Sequence, residues 1–353
     1  MTLSDRVKDR ALSLGFHLVG IAPADPLEGA HDRFVEWLSR GYQAGMGYMD
    51  RHAEVRRDVG HPGILSGAKS VVVCAMGYGR RTDPRALGAR VASYARGRDY
   101  HNVLPPRLRK LARFLRDESP GCRTRVFVDT APLLEKAWAM RAGIGWIGKN
   151  ACLLHPKLGS RFVLGEVVTD VRLEADSPHE ERCGSCRACL DACPTGAFPE
   201  PFVLDARRCL AYWTIEHHGP IPEDLREPMG DRLFGCDDCQ DVCPFDRKAP
   251  DLGAPDFATH ARWVKRTPAD LLALSDYDFA ALANGSPMAR PGRSGMLRNA
   301  AIVLGNTRDR VHLPVLRGAV TDADPVIRDA ANWAIERIEK DPKPAIAGRP
   351  RSS

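Results

Sequence analysis

From residue 1 to about 175, apolar positions at helical spacing alternate with short unbroken apolar runs. An amphipathic stretch from Leu3 to Leu14 leads into FHLVGIA, and HDRFVEWLSR is followed by SVVVCAMGY. A helical pattern near Leu108 to Arg116 precedes RVFVD, and LLEKAWAMRAG precedes RFVLGEVV. Short apolar runs between helices predict strands covered on both faces, and so an α/β domain. From about 176 to 255, Cys, Pro and Gly interrupt every pattern except a helix over Asp205 to Thr214, so this stretch is expected to be held by metal. Beyond about 256 only helices remain: TPADLLAL, MLRNAAIVLGN, LPVLRGAV and DPVIRDAANWAIERIEK. LRNAAIVLGN and VIRDAANWAIE both set Arg before a small-residue apolar face, which predicts about one and a half to two HEAT-like helical repeats. KPAIAGRPRSS is expected to be a loose tail.

The chain has 353 residues, 44% hydrophobic and 27% charged, which excludes the disordered and fibrous classes and leaves room for two or three domains. It holds no apolar run of about 18 residues, and MTLSDRVKDRALSLG lacks the apolar core of a secretory signal. A cytoplasmic protein with no membrane partner is expected. The net charge of +6 is mild, but its placement is uneven. From Arg80 to Arg116 there are 11 Arg or Lys against Asp83 and Asp99, and from Gly285 onward 12 against seven acids. Either stretch alone suits a solvated helix face; two of them, one beside a helical array, favour a phosphate backbone.

Eight of the 11 cysteines fall between Cys183 and Cys243, and a reducing compartment argues for metal over disulfides. Cys183-x2-Cys186-x2-Cys189-x3-Cys193-Pro194 is the bacterial ferredoxin run, in which three thiolates hold one 4Fe-4S cube and the fourth reaches to another. Cys236-x2-Cys239-x3-Cys243-Pro244 is the matching half, with Cys209 in place of its missing upstream cysteine. Crossing the fourth ligands assigns Cys183, Cys186, Cys189 and Cys243 to one cluster and Cys193, Cys209, Cys236 and Cys239 to the other. Structural zinc is the competing reading of paired CxxC groups, but it does not call for the twice-repeated Cys-Pro ending. Cys74, Cys122 and Cys152 read as small buried apolar residues.

Asp129 closes RVFVD at the carboxyl end of a strand, where α/β ligands bind; helix capping is the alternative. AGIGWIGKNACLLHPKLGSRF sets four glycines around Lys149 and Asn150, suiting either close approach to a large ligand or a tight structural loop. Tyr94 to His101, YARGRDYH, mixes rings and cations that suit a nucleotide, although His101 also suits a plain surface position.

Taken in order, YARGRDYH, VDTAPLLEKAWAMRAGIGWIGKN, CGSCRACLDACPTGAF, CLAYWTIEHHG, FGCDDCQDVCPF and LRNAAIVLGN resemble the epoxyqueuosine reductase family over nearly the whole chain. The resemblance implies an α/β + α protein. Its parts are a nitroreductase-like cobalamin-binding domain (1–175), a bacterial ferredoxin-like module with two [4Fe-4S] clusters (176–255) and a C-terminal HEAT-like tRNA-binding domain (256–353). It implies reduction of epoxyqueuosine to queuosine at the wobble position of tRNAs with GUN anticodons, those for Tyr, His, Asp and Asn. Base-off cobalamin and an external one-electron reductant such as flavodoxin or ferredoxin belong to that reading, as does a monomer.

By the same resemblance Asp129 is the proton donor, and Arg56, Asp129, Lys149, Asn150, Thr214 and Glu216 border the corrinoid. Tyr100, His101, Lys136, Arg293, Arg298 and Arg328 are expected on the RNA, with Arg290 beside them. Lys136 stands where relatives often carry Arg, which keeps the charge but loses bidentate geometry. To hold its proton near neutrality Asp129 needs a raised pKa. Two other readings stand beside this one: a reductive dehalogenase-like corrinoid enzyme, for which an opening twin-arginine signal is missing, and a non-catalytic iron-sulfur carrier, which predicts no corrinoid.

Overall fold

The computed structural model describes residues 1–79 and 88–342; Arg80, Arg81 and Arg85 of the basic stretch, and the tail expected to be loose, lie outside the described residues. The four apolar runs form one sheet of β1 (Leu18–Pro23), β2 (Ser70–Gly77), β3 (Thr124–Phe127) and β4 (Phe162–Thr169). Their order is β1-β2-β4-β3, and each neighbouring pair is antiparallel. Strand alternation explains why the runs are unbroken. Val71, Val73 and Ala75 enter a core with Trp138 and Ile144, whereas Val72, Cys74 and Met76 enter another with Leu104, Leu108 and Leu111. α1 (Leu3–Ser13) and α2 (Tyr100–Glu118) cover this second face, and α3 (Glu135–Arg141) covers the first. α1 begins with a reciprocal cap, Thr2 Oγ1 accepting from the Asp5 amide while the Asp5 carboxylate accepts from the Thr2 amide.

One residue breaks the apolar alternation. Glu166, in mid-β4, is fully buried and lies opposite Val73 of β2 and Phe127 of β3. Register therefore puts its side chain on the face covered by α3.

In the Cys-rich stretch the expected helix forms over Leu210–Ile215, and two short turns, Ala188–Asp191 and Asp238–Asp241, sit inside the two cysteine runs. Arg232–Phe234 pairs in parallel with Arg90–Val91, joining this stretch to the sheet domain by backbone hydrogen bonds. The expected C-terminal helices follow, among them Pro268–Leu272, α4 (Gly292–Thr307), α5 (Leu313–Ala319) and α6 (Pro325–Lys340). α4 is buried from Gly295 to Gly305 and meets α6 through small residues. A Cβ on Gly305 would stand 2.8 Å from the Ala334 Cβ, so glycine is what lets these helices approach. Apolar residues of α4 and α6 share one core with Leu210, Leu233 and Phe234 of the Cys-rich stretch, so the two parts are stabilised together. No helix among the described residues is long and apolar enough to cross a membrane.

Candidate active site

Two residues beyond the end of β3, Asp129 adopts φ +55°. This left-handed conformation costs a non-glycine residue about 1 kcal/mol and persists where surrounding contacts enforce it. The contacts are present. The Asp129 amide donates to Glu135 Oε1 in the first turn of α3, and Asp129 Oδ2 accepts from the Tyr100 hydroxyl at 2.9 Å and from His101 Nε2 at 3.2 Å. The carboxylate side chain is still 55% exposed, leaving it open to a ligand.

The start of α2 positions those two donors. Asp99 caps it, its Oδ1 accepting from the His101 amide at 2.9 Å and from His101 Nδ1 at 2.8 Å. Gly97 lets the preceding turn run against another backbone, since a Cβ there would lie 2.5 Å from the Phe257 Cα. With a carboxylate on each ring nitrogen, His101 is an imidazolium. The bonds to Asp129 and then Asp99 outweigh burial and raise its pKa to about 9. Burial pushes the Asp129 carboxyl up, but the His101 and Tyr100 hydrogen bonds and the nearby Arg290 outweigh it and hold it below its usual range. The expectation of a raised Asp129 pKa is therefore corrected: the contacts lower Asp129 and raise His101, which favours the proton on His101. Tyr100 and His101, expected on RNA, instead stack at 4.1 Å and face Asp129.

Around Asp129 the chain gathers Tyr48, Arg56, Glu216 and Arg290. Glu216 accepts from Arg290 Nη2 at 2.9 Å and from the Tyr48 hydroxyl at 3.5 Å. Arg56 is buried with its guanidinium 5.6 Å from the Phe34 ring; Nη1 donates to the Leu133 carbonyl at 3.4 Å and Nε has no partner among the described residues. Asp129 and Glu135 both act on its charge.

Three residues expected at the corrinoid are placed differently. Thr214 is fully buried, its Oγ1 donating to the Leu210 carbonyl at 2.7 Å and accepting from the Gly235 amide at 2.9 Å, so it faces the interior and not a ligand. Lys149 Nζ donates to the carbonyls of Gly184 and Cys186, the latter at 3.0 Å, and Asn150 Nδ2 donates to the Cys239 carbonyl at 3.3 Å. The glycine-rich segment thus braces both cysteine loops. Lys136, expected on RNA, donates to the Ala151 carbonyl at 2.7 Å and acts on Cys152.

The cysteines of the two runs approach one another, although among the described residues no three of them close on a metal-sized site. Burial, then Cys243, Cys183 and Cys186, push the Cys189 thiol up to about 11. Cys209 feels Cys193, Cys236 feels Cys209, and Cys239 feels Cys236 and Cys209. Backbone amides serve the sulfurs, the Ala197 amide donating to Cys193 Sγ at 3.3 Å; such bonds tune cluster potentials. Cys152, read from sequence as incidental, stands against Cys239.

The C-terminal cations do not form the expected phosphate grip. Arg298 is fully buried and donates to the carbonyls of Trp213, His217 and Gly219. Arg293 is paired with Asp322 at 2.6 Å, and Arg328 Nη1 donates to the carbonyls of Asp322 and Ala323 at 2.7 Å. Exposed cations instead line α2. Arg109, Arg116 and Arg125 wall a cleft of about 300 Å³ between α2 and β3, and Arg109 also borders a second, of about 270 Å³, that reaches His101 and Thr130.

Tyr48, Glu135 and Glu166 were not singled out by sequence reasoning. The signal for Glu166 was a lone acid in an apolar strand, and for Glu135 an acid in the helix turn that follows Asp129. Tyr48 carried none.

Comparison with known proteins adds three findings. Residues 61–130 match the family model described as epoxyqueuosine reductase QueG, DUF1730, and residues 182–246 match the 4Fe-4S double cluster binding domain. The chain is 46% identical over 311 residues to the epoxyqueuosine reductase of Gloeobacter violaceus, covering 86% of this chain and 96% of that one. It superposes with a TM-score of 0.87 and 35% identity on a crystal structure of epoxyqueuosine reductase with a tRNA-Tyr epoxyqueuosine-modified stem loop, covering 95% of this chain and 90% of that one. A Bacillus subtilis epoxyqueuosine reductase with its catalytic aspartate loop swung out of the active site gives the same score at 34% identity and the same coverage.

Proposed function

Because the chain belongs to the epoxyqueuosine reductase family, and so is an oxidoreductase that reduces epoxyqueuosine in tRNA, we propose that the Asp129–His101 pair supplies the proton this reduction needs. The observation that carries the reading is the pair itself, an exposed carboxylate joined to an imidazolium. An alkoxide is a poor leaving group, so an acid must meet the departing oxygen. Asp129 presents the shared proton, His101 holds it between turnovers, Asp99 fixes the ring and Tyr100 keeps the carboxylate turned towards the opening.

The two cysteine groups each offer four thiolates, and the double-cluster match gives this chain iron-sulfur clusters. We assign Cys183, Cys186, Cys189 and Cys243 to one and Cys193, Cys209, Cys236 and Cys239 to the other. The face around Asp129 fits a large amide-bearing macrocycle such as base-off cobalamin, because the orphaned Arg56 Nε offers a buried donor and Tyr48, Glu216 and Arg290 complete a polar wall. Cobalamin, when bound, supplies a metal that carries electrons to carbon. Arg56, Tyr48, Glu216 and Arg290 would hold it. The anticodon loop presents its modified base to Asp129, and the α2–β3 cleft receives a flanking phosphate through Arg109.

In this reading the α/β part is nitroreductase-like and spans 1–175, the ferredoxin-like module 176–255 and the HEAT-like helices 256–353. The substrates are tRNAs with GUN anticodons, and the electrons come from flavodoxin or ferredoxin. The protein works as a cytoplasmic monomer. The test is turnover of epoxyqueuosine-containing anticodon RNA by anaerobically reconstituted enzyme. Asp129→Asn is expected to lose about 10²–10⁴-fold in rate, and the wild-type rate to fall as pH rises through about 9, where His101 loses its proton. Equal rates for the two proteins would remove Asp129 from the chemistry, and clusters without bound corrinoid would favour the carrier reading.

A further inference from the structure

Behind Asp129, Glu166 and Glu135 form an arrangement the proposed chemistry does not use. Glu166 has no exposed surface, and no donor among the described residues reaches either of its carboxyl oxygens. The polar group that meets it is the Glu135 carboxyl, across the gap between β4 and α3. The ionisable groups acting on Glu166 are Glu135 and Asp129, both acids, while the buried Cys74 of β2 stands near it as a thiol. Asp129, His101 and Arg56 act on Glu135 from the other side. Two acceptors that face one another with no cation between them are compatible only if a proton lies between them. Burial first, then the charge of Asp129, raise Glu135 to about 7, and burial followed by the charge of Glu135 raises Glu166 well above its ordinary range.

The residues thus form two arms that meet at the exposed Asp129, Glu166 and Glu135 from the core and Asp99 and His101 from the start of α2. The Asp129 backbone amide donates to Glu135, which fixes the two side by side without itself passing a proton, the charge of Asp129 acts on the Glu135 carboxyl, and Asp129 meets His101 through its carboxylate. Removing the epoxide oxygen breaks two C–O bonds, forms one C=C bond and takes up two electrons and two protons, the oxygen leaving as water. The external one-electron reductant supplies the electrons. We propose that the two arms carry both protons before the reaction starts, one on the Asp129–His101 pair and the second shared by Glu135 and Glu166, which reloads Asp129 after its first transfer. Glu135 and Glu166 are positioning residues that act through Asp129, and the proposal rests on the reading of Asp129 given above.

The test compares wild type with Glu166→Gln and Glu135→Gln, each of which keeps an acceptor and its volume but removes a titratable proton. Infrared spectroscopy of the cluster-loaded protein at neutral pH should show a buried protonated-carboxyl C=O band that both variants lose. Single turnover of epoxyqueuosine RNA should slow about 100-fold in either variant, with a larger solvent deuterium isotope effect and unchanged RNA affinity. Absence of the infrared band in wild type overturns the proposal whether or not the RNA is reduced. So do variants that turn over at the wild-type rate and isotope effect. If wild type shows the band but does not reduce the RNA, the shared proton stands and the reading of Asp129 fails.

Discussion

Glu166 in the sheet and Arg298 in the helical part are both ionisable side chains with no exposed surface, yet their surroundings are opposite. Arg298 spends every donor: Nη1 on the carbonyls of His217 and Gly219, Nη2 on Trp213 and Asn299, and Nε on Asn299. Burial lowers its pKa to about 10, which leaves it charged at neutrality. Among the described residues no donor reaches the Glu166 carboxyl oxygens, and the charged groups acting on it, Glu135 and Asp129, are acids. A buried ion whose hydrogen bonds are all made is a structural part, whereas a buried acid with empty lone pairs must hold a proton and can give it up.

That contrast breaks first at Arg298. Arg298→Met leaves three buried carbonyls without donors and is expected to cost about 3–5 kcal/mol of stability, read as a lowered thermal midpoint of the cluster-loaded protein; an unchanged midpoint would erase the distinction. Glu166→Met sharpens it from the other side. Replacing an unpaired buried acid by an apolar side chain is expected to keep stability within about 1 kcal/mol of wild type or raise it, while turnover falls. A loss as large as that of Arg298→Met would make Glu166 structural. The smallest effect tests where RNA lies, given that the C-terminal arginines are occupied: Arg109→Ala should flatten the dependence of log affinity on log salt by about one unit. A slope equal to wild type would move the phosphates away from α2.

Much of this was legible in the sequence because it was carried by spacing. The four strands and the long helices follow from apolar period, and the double-cluster module follows from the cysteine spacing and its Cys-Pro endings. Asp129 was legible as a strand end. What the sequence hid was what long side chains do once the chain has folded. Arg293, Arg298 and Arg328 look alike along the chain, but each turns onto a carboxylate or carbonyl brought close only by tertiary contact. Lys149 and Asn150 show the same limit, since their partners lie 35 and 89 residues away in the chain. Asp129 shows it for protonation: strand position indicated a ligand site, while the direction of its pKa depended on Tyr100 and His101 arriving from another helix.

Lys149 and Asn150 also have a mechanical consequence. These two adjacent residues hook one cysteine loop each, the loop of Cys186 and the loop of Cys239. Consecutive Cα atoms are about 3.8 Å apart, so the two cysteine loops are tied to neighbouring points of one backbone segment, and neither can swing away without breaking one of those hydrogen bonds.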